Sequence, residues 1–224
     1  MISDQAFIIH KRKYKDSSEI VKLLTRQNGI IDVLAKGSFG NKSKFKGQLH
    51  PFIELQVTYT GRSELKTLVD ANQSGHLPAC DYLNHVAMLY CNELLYHLNL
   101  DTDVARSIYK RYQSTIALLN GSNEISLLLR KFEWSLSRLQ GYELNIPSQV
   151  KPNDLLSFSA DSGIQIARQS GICRYESLRL FLSREPLNGQ HIKELNGLMR
   201  QVVDHMVNGK TIKCRSLLQV GKPS

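Results

Sequence analysis

The sequence predicts an α+β protein, in which a small closed β-barrel is followed by an all-helical domain. Five short runs of apolar or alternating residues fill the first 75 positions, and apolar residues recur at helical spacing from about residue 79. A hydrophobic content of 42% with 22% charged residues is typical of a globular chain and argues against wholesale disorder. We therefore predict two domains, residues 1–78 and 79–224, with a loop-rich insert at about 142–172.

The strand runs of the first domain cover 6–14, 19–26, 30–37, 52–60 and 65–71. Asn28 and Gly29 separate the second run from the third, and Asn-Gly is a strong hairpin-turn signal. In the fourth run Ile53, Leu55 and Val57 alternate with polar residues, as expected for a strand with one buried face. Five short strands in so little chain favour a Greek-key-like barrel, and the longest gap, 38–49, should form a loop between strands three and four.

The second domain is predicted to be helical because Leu83, Val86, Tyr90 and Leu94 follow a three-to-four-residue spacing. Further helical segments cover 103–120, 123–141, 174–184, 190–208 and 214–219. For the segment 123–141, Ser122 is the expected N-cap and Gly141 the expected C-terminal stop. Proline, glycine and serine are frequent between 142 and 172, which predicts a loop-rich insert that accommodates one hairpin.

The charge of the chain favours a polyanionic partner. The net charge is +9 and the isoelectric point is about 9.4, which is typical of proteins that bind nucleic acid, anionic membranes or acidic partners. No two of the four cysteines lie within four residues of each other, so we expect reduced structural thiols in a cytoplasmic protein. In the N-terminal segment the apolar residues precede the charged ones, which is not the order of a signal peptide. No apolar run reaches the ~18 residues of a membrane span.

Motifs for catalysis or metal binding are not apparent in the sequence. The seven histidines form no HxH or HxxxH pair, and the acidic pair Asp101 and Asp103 is better explained as a helix start. The segment from Gly37 to Ser43 resembles a phosphate-cradling loop, but Asn41 stands where the second glycine is required. We therefore expect no catalytic residues, no metal and no cofactor.

A basic, glycine-rich stretch, KGSFGNKSKFKG at 36–47, is the most informative segment. It contains four lysines, and no acidic residue occurs between Asp32 and Glu54. Lysines in such a loop can neutralise phosphates and release condensed counterions, while Phe39 can stack on unpaired bases. Phe45 could stack in the same way or anchor the loop to the barrel core. The predicted DNA-binding residues are Arg12, Lys13, Lys15, Lys36, Phe39, Lys42, Lys44 and Lys46.

Several segments resemble the RecO family of bacterial recombination mediators. The N-terminal ones are AFIIHKRKYKDSSEIVKLLTRQNG (6–29), LAKG (34–37), KSKFKGQLHPF (42–52) and GRSELKTL (61–68). The C-terminal ones are NELLYHL (92–98), LRKFEWSLSRLQGY (129–142) and RSLLQ (215–219). They occur in the family's order and together extend over nearly the whole chain.

The resemblance implies an N-terminal OB-fold barrel, binding of single- and double-stranded DNA, and annealing of complementary strands. It also implies partnership with RecR and with the acidic tail of the single-strand-binding protein SSB. Together these proteins would help to load RecA, which is thus an indirect partner. Such a protein would be cytoplasmic and associated with the nucleoid. Many family members carry a four-cysteine zinc site after the central helix, but GYELNIPSQVKPND (141–154) contains no cysteine, so we expect no zinc here.

The SSB tail requires an apolar groove with cations at its rim. The expected tail-binding residues are Lys110, Arg111, Arg130 and Lys131, and Arg130 aligns with the basic position that opens the family's LRxFE element. These side chains could equally be ordinary solvated helix faces. Two other functions remain open at this point: a metal-dependent nuclease, and a general OB-fold nucleic-acid chaperone without repair partners.

Overall fold

The computed structural model describes residues 1–40, 43–76, 79–142, 144–146, 148–167 and 170–220. Its first five strands are β1 (Ile2–Tyr14), β2 (Ser18–Thr25), β3 (Gly29–Ala35), β4 (Leu55–Thr60) and β5 (Leu65–Gln73). The described residues form six helices, α1 (Tyr82–His97), α2 (Thr102–Leu119), α3 (Ile125–Leu139), α4 (Tyr175–Ser183), α5 (Gly189–Met206) and α6 (Cys214–Val220). Four short strands precede α4, namely β6 (Leu144–Asn145), β7 (Leu155–Ser159), β8 (Gly163–Ile166) and β9 (Cys173–Arg174). These elements confirm the predicted α+β architecture.

The first five strands close into a barrel in the order β1-β2-β3-β5-β4, which is the order of an OB-like fold. β1 pairs antiparallel with both β2 and β4, and β3 pairs in parallel with β5. A bulge between Ile8 and His10 shifts the β1–β2 register, which bends β1 at the middle of the barrel wall. The alternating apolar residues of the strands fill the interior, with Val21, Leu23 and Val57 fully buried.

The chain divides into two compact units. The first unit contains residues from Met1 to Asn123 together with the segment from Ile212 onward, and therefore includes the barrel, α1, α2 and α6. The second unit runs from Glu124 to Thr211 and contains α3, α4, α5 and the small sheet. The division into independently folding domains at residue 78 remains a prediction.

Helix α2 covers part of the barrel wall, where Phe7 of β1 lies against Tyr109 and Tyr112 of α2. The ring centroids are 5.5 and 5.1 Å apart, respectively. Asp81 and Asp101 begin α1 and α2, and each carboxylate accepts a hydrogen bond from a backbone N–H three residues further on. The acidic residue Asp101 is thus a helix cap, as its position in the sequence predicts.

Of the two residues predicted to bound α3, the C-terminal one is correct and the N-terminal one is wrong. The expected N-cap Ser122 is not used: Glu124 occupies the N-cap position, and its side chain makes no capping hydrogen bond. The C-terminal stop is correct, because Gly141 has a φ of +83° and its N–H donates to the carbonyl of Arg138. Tyr142 donates to the carbonyl of Ser137, which completes a Schellman motif.

The insert contains a small sheet in the order β6-β8-β7-β9. The predicted hairpin is formed by β7 and β8, which pair antiparallel from Leu156–Ile166 to Ser159–Gly163. The two-residue strands β6 and β9 flank this hairpin, and such short pairings leave almost no sequence signal. The four cysteines, all among the described residues, form no disulfide, and Cys91, Cys173 and Cys214 are buried.

Candidate nucleic-acid interface

The basic loop between β3 and β4 is anchored to the barrel by its apolar residues. Phe45 and Leu49 are 3% and 5% exposed and belong to the barrel core. Gln73 of β5 donates hydrogen bonds of 2.7 and 3.1 Å to the carbonyls of Gly47 and Gln48. The loop therefore closes one end of the barrel, and Phe45 serves as an anchor rather than as a stacking surface.

The start of the loop lies against the β1–β2 turn. The N–H of Phe39 donates to the carbonyl of Ser17 at 3.2 Å, and the N–H of Gly37 donates to Ser18 Oγ at 3.4 Å. Lys13 extends over the ring of Phe39, with Nζ 5.5 Å from the ring centroid. Phe39 itself is 47% exposed, so part of this ring is available to solvent.

Four predicted residues meet at this place, and we call them the turn cluster: Lys13, Lys15, Lys36 and Phe39. All three lysines are exposed, and none forms an ion pair with an acidic residue that the structure describes. The turn itself carries one carboxylate, Asp16, and Glu19, the register partner of Lys13, is paired with Lys11. Lys15 holds a left-handed conformation with a φ of +54°, which directs the chain sharply into β2.

The other predicted DNA-binding residues have different surroundings. Lys44 donates a hydrogen bond to the carbonyl of Val69 on β5 and lies 5.2 Å from the centroid of Phe45. Lys46 is exposed in the same loop. Arg12 is exposed on the face of β1 opposite to Lys13, because successive strand residues point to opposite sides. Lys42 lies outside the described residues.

Lys11 has a structural role that the sequence pattern did not predict. Its Nζ donates to the carbonyl of Leu49 at 3.0 Å and lies 3.9 Å from the buried carboxylate of Glu19. Lys11 therefore joins β1 to the end of the basic loop and is partly neutralised. Because β1 has a bulge, alternation counted from its first residues does not reveal which lysine points inward.

A second feature that sequence reasoning missed lies on the outer face of the barrel. The ring of His10 stacks on Tyr96 of α1, with centroids 4.2 Å apart and an interplanar angle of 32°. Burial and the neighbouring cations of Lys22 and Arg12 lower the pKa of His10 below 6.5, so this imidazole is neutral at pH 7. Tyr96 is 41% exposed.

The expected SSB-tail residues fall in two different compact units. Lys110 and Arg111 are exposed on α2 of the first unit. In the second unit, Arg130 pairs with the buried carboxylate of Glu133, and its Nη1 donates to Asn196 Oδ1 at 2.9 Å. The Arg130 side chain is only 12% exposed, whereas Lys131 beside it is exposed. Because Arg130 is held by Glu133 and Asn196, Lys131 is the more accessible cation of the two.

Within the described part of the chain, no group of three or more histidine, cysteine or acidic residues is arranged to hold a metal ion. No helix among the described residues is long and apolar enough to cross a membrane.

The fold and the turn cluster define an OB-like barrel protein with a basic end, a class whose loops and strand faces commonly bind nucleic acid. Residues 1–75 match the family model for "Recombination protein O N terminal", and residues 80–165 match that for "Recombination protein O C terminal". The chain therefore belongs to the RecO family of DNA repair proteins, which supports a role in recombination and repair.

Individual relatives agree with this assignment over nearly the full length. A "DNA repair protein RecO" of Coxiella burnetii is 32% identical over 226 residues, covering 96% of this chain and 96% of that protein. The protein of the same name from Nitrosospira multiformis is 31% identical, covering 96% and 93%. The one from Methylococcus capsulatus is 29% identical, covering 98% and 93%.

Proposed function

We propose that this chain is a recombination mediator that binds single- and double-stranded DNA without sequence specificity and anneals complementary strands. Together with RecR and SSB, it would help to load RecA. The observation that supports DNA binding most directly is the turn cluster, which contains three exposed lysines and a half-exposed phenylalanine, with Lys13 over the phenylalanine ring. Such a surface can replace the counterions of a phosphate backbone while leaving base edges free to pair.

In the proposed mechanism the protein contacts the phosphate backbone and does not contact the base edges, which must stay free to pair. Two complementary strands repel each other, and cationic side chains reduce this repulsion when they replace condensed ions. Lysine ammonium groups act as mobile point charges, whereas arginine favours planar bidentate contacts. A lysine-rich surface thus holds the backbone in many registers, which annealing requires.

The second part of the proposal concerns the SSB tail. An acidic peptide with an apolar end would contact cations on the helices, with Lys110 and Arg111 on α2 and Arg130 and Lys131 on α3 as the proposed residues. Lys131 should contribute most on α3, since Arg130 is already paired with Glu133. Catalysis forms no part of this proposal.

DNA binding is tested by exchanging Lys13, Lys15 and Lys36 for Gln in one variant. The slope of log K against log salt should decrease in magnitude by about 2 for single-stranded DNA, because each of the three lost phosphate contacts removes about 0.7 from it. The matched control is the charge-neutral double variant Lys22→Gln/Asp32→Asn, since these two side chains neutralise each other at 2.9 Å. An unchanged slope in the triple variant would remove the turn cluster from the interface.

Mediator function is tested by annealing complementary oligonucleotides that are coated with SSB. The protein should accelerate annealing with intact SSB and much less with SSB that lacks its C-terminal tail. Equal acceleration in both cases would indicate a general annealing protein without the SSB partnership. Degradation of labelled DNA in the presence of Mg²⁺ would instead favour a nuclease.

A further inference from the structure

The outer face of the barrel carries a second group of aromatic and basic side chains, separate from the turn cluster. His10 and Arg12 lie two residues apart on the same face of β1, after the bulge. The ring of Tyr96 stacks on His10 at 4.2 Å, and the ring of His97 lies 5.4 Å from that of Tyr96. A short aromatic row thus extends from β1 to the C-terminal end of α1.

The start of α6 joins this row through Glu93. The Glu93 carboxylate accepts hydrogen bonds from the backbone N–H groups of Lys213 at 2.8 Å and Cys214 at 2.9 Å. Its Oε1 also lies 3.8 Å from His97 Nε2. Glu93 and Tyr96 are three residues apart on α1 and so lie on neighbouring positions of one helix face. Lys213 is therefore held beside the aromatic row, and its side chain is exposed.

The negative charges near this row are held by hydrogen-bond donors or by a cation. Burial alone would raise the pKa of Glu93, but the backbone N–H donors of Lys213 and Cys214, the Cys214 side chain and the nearby His97 together lower the pKa, so the carboxylate stays ionised. Asp32 forms an ion pair with Lys22 at 2.9 Å. Arg12 and Lys213 form no ion pair with any described acidic residue, so both side chains remain available to phosphate groups.

We propose that Arg12, Tyr96 and Lys213 form a second contact for unpaired nucleotides, in which a base stacks on Tyr96 and the flanking phosphates contact Arg12 and Lys213. The inference rests on the proposed DNA binding and names an additional surface for it. An exposed aromatic ring with cations in its neighbourhood suits a single strand, because unpaired bases stack on such rings whatever their identity. A duplex keeps its bases stacked internally and gains only the phosphate contacts.

The test compares Tyr96→Leu, Tyr96→Phe and the double variant Arg12→Gln/Lys213→Gln with the unaltered protein. Tyr96→Leu should weaken binding of an oligothymidylate about tenfold and duplex binding by less than twofold, whereas Tyr96→Phe should retain single-strand binding because it keeps the ring. The double variant should weaken both ligands and reduce the salt slope by about 1 to 2. Equal oligothymidylate binding by the Leu and Phe variants would overturn the proposal.

A second measurement locates the contact directly. An oligonucleotide with 5-bromodeoxyuridine should crosslink to Tyr96 under ultraviolet light, as mapped by mass spectrometry of the digested complex. Crosslinks confined to Phe39 and the turn cluster would overturn this inference while leaving the proposed function intact. If the unaltered protein binds neither the oligothymidylate nor the duplex at low salt, the proposed function itself fails.

Discussion

The hydroxyl of Tyr112 donates a hydrogen bond of 2.5 Å to Oδ1 of Asn92, and both residues are buried. Asn92 in turn donates from Nδ2 to the carbonyl of Ile8 at 3.3 Å. This chain of contacts connects α2 to α1 and α1 to β1 at the position of its bulge. Two helices are thereby fixed on the barrel wall by polar groups that have no access to water.

Removing the Tyr112 hydroxyl should therefore destabilise the protein. Tyr112→Phe leaves the buried Asn92 oxygen without this donor, which should reduce the free energy of unfolding by about 1 to 3 kcal/mol. Urea denaturation followed by circular dichroism measures the change. Tyr82→Phe on α1 is the matched control, because Tyr82 is 59% exposed and its change should stay within about 0.5 kcal/mol. Equal effects of the two changes would contradict this account.

Removing the hydroxyl of Tyr59, whose side chain is fully buried in the barrel, should have the opposite effect on the free energy of unfolding. Its hydroxyl has no hydrogen-bond partner among the residues that the structure describes. Tyr59→Phe removes an unsatisfied polar group and should leave the free energy of unfolding unchanged or raise it by about 1 kcal/mol. The same urea denaturation tests this, and a loss of 1 kcal/mol or more would show that the hydroxyl is satisfied in solution.

Gly29 is required where the β2–β3 turn approaches α2. It has a φ of +71°, and a Cβ at this position would lie 3.0 Å from Thr102 Cα. Gly29→Ala should therefore reduce the free energy of unfolding by about 1 to 3 kcal/mol, through backbone strain and this close contact. Gly75→Ala is the control, since nothing lies within 4 Å of its Cβ position and no positive φ applies there. A stable Gly29→Ala protein would refute the contact.

Acid should destabilise the second unit because it protonates the Glu194 carboxylate. Burial alone would raise the pKa of Glu194, but hydrogen bonds from Ser177, Arg174 and Gln190 outweigh it and lower the pKa from 4.5 to about 2. Because the folded-state pKa is depressed, this stabilisation is complete above pH 4.5 and is lost as the pH falls towards 2. The fluorescence of Trp134, the single tryptophan, follows unfolding of the unit that contains it.

Glu194→Gln should flatten the pH dependence of stability between pH 4.5 and 2. Glu185→Gln should preserve it, because Glu185 forms an exposed ion pair with Arg179 and its side chain is 45% exposed. A Glu194→Gln protein with the original pH dependence would show that other carboxylates cause the acid sensitivity.

The two phenylalanines of the basic loop should separate binding from stability. Phe39→Leu removes an exposed ring and should weaken oligothymidylate binding severalfold with little effect on unfolding. Phe45→Leu changes a residue that is 3% exposed in the barrel core and should lower the free energy of unfolding by about 1 kcal/mol. Fluorescence anisotropy and urea denaturation on both variants provide the comparison. Loss of binding in Phe45→Leu alone would reverse the assigned roles.

Much of this fold could be predicted from residue order because strand alternation and helical spacing are local signals. Leu55 and Val57 predicted β4 through their period of two, although Ile53, which has the same period, lies before the first residue of the strand; α1 followed from Val86, Tyr90 and Leu94. The short strands β6 and β9 could not be predicted, since two residues carry no periodicity. Ser122 was the wrong N-cap because the chain turns into α3 two residues later, a choice that local propensity does not determine.

The net positive charge follows from composition, and the order of the barrel strands and the clustering of lysines after β3 follow from local residue patterns. Which side chains face one another became known only from the folded chain. The fold placed Phe45 in the core and Phe39 at the surface, and it brought Lys13 over the Phe39 ring. Tyr96 and His10 lie 86 positions apart in the printed chain, yet a bulge in β1 and the packing of α1 bring their rings to 4.2 Å. Such contacts depend on the register of strands and the placement of helices, which are set by the burial of the whole core rather than by any local pattern.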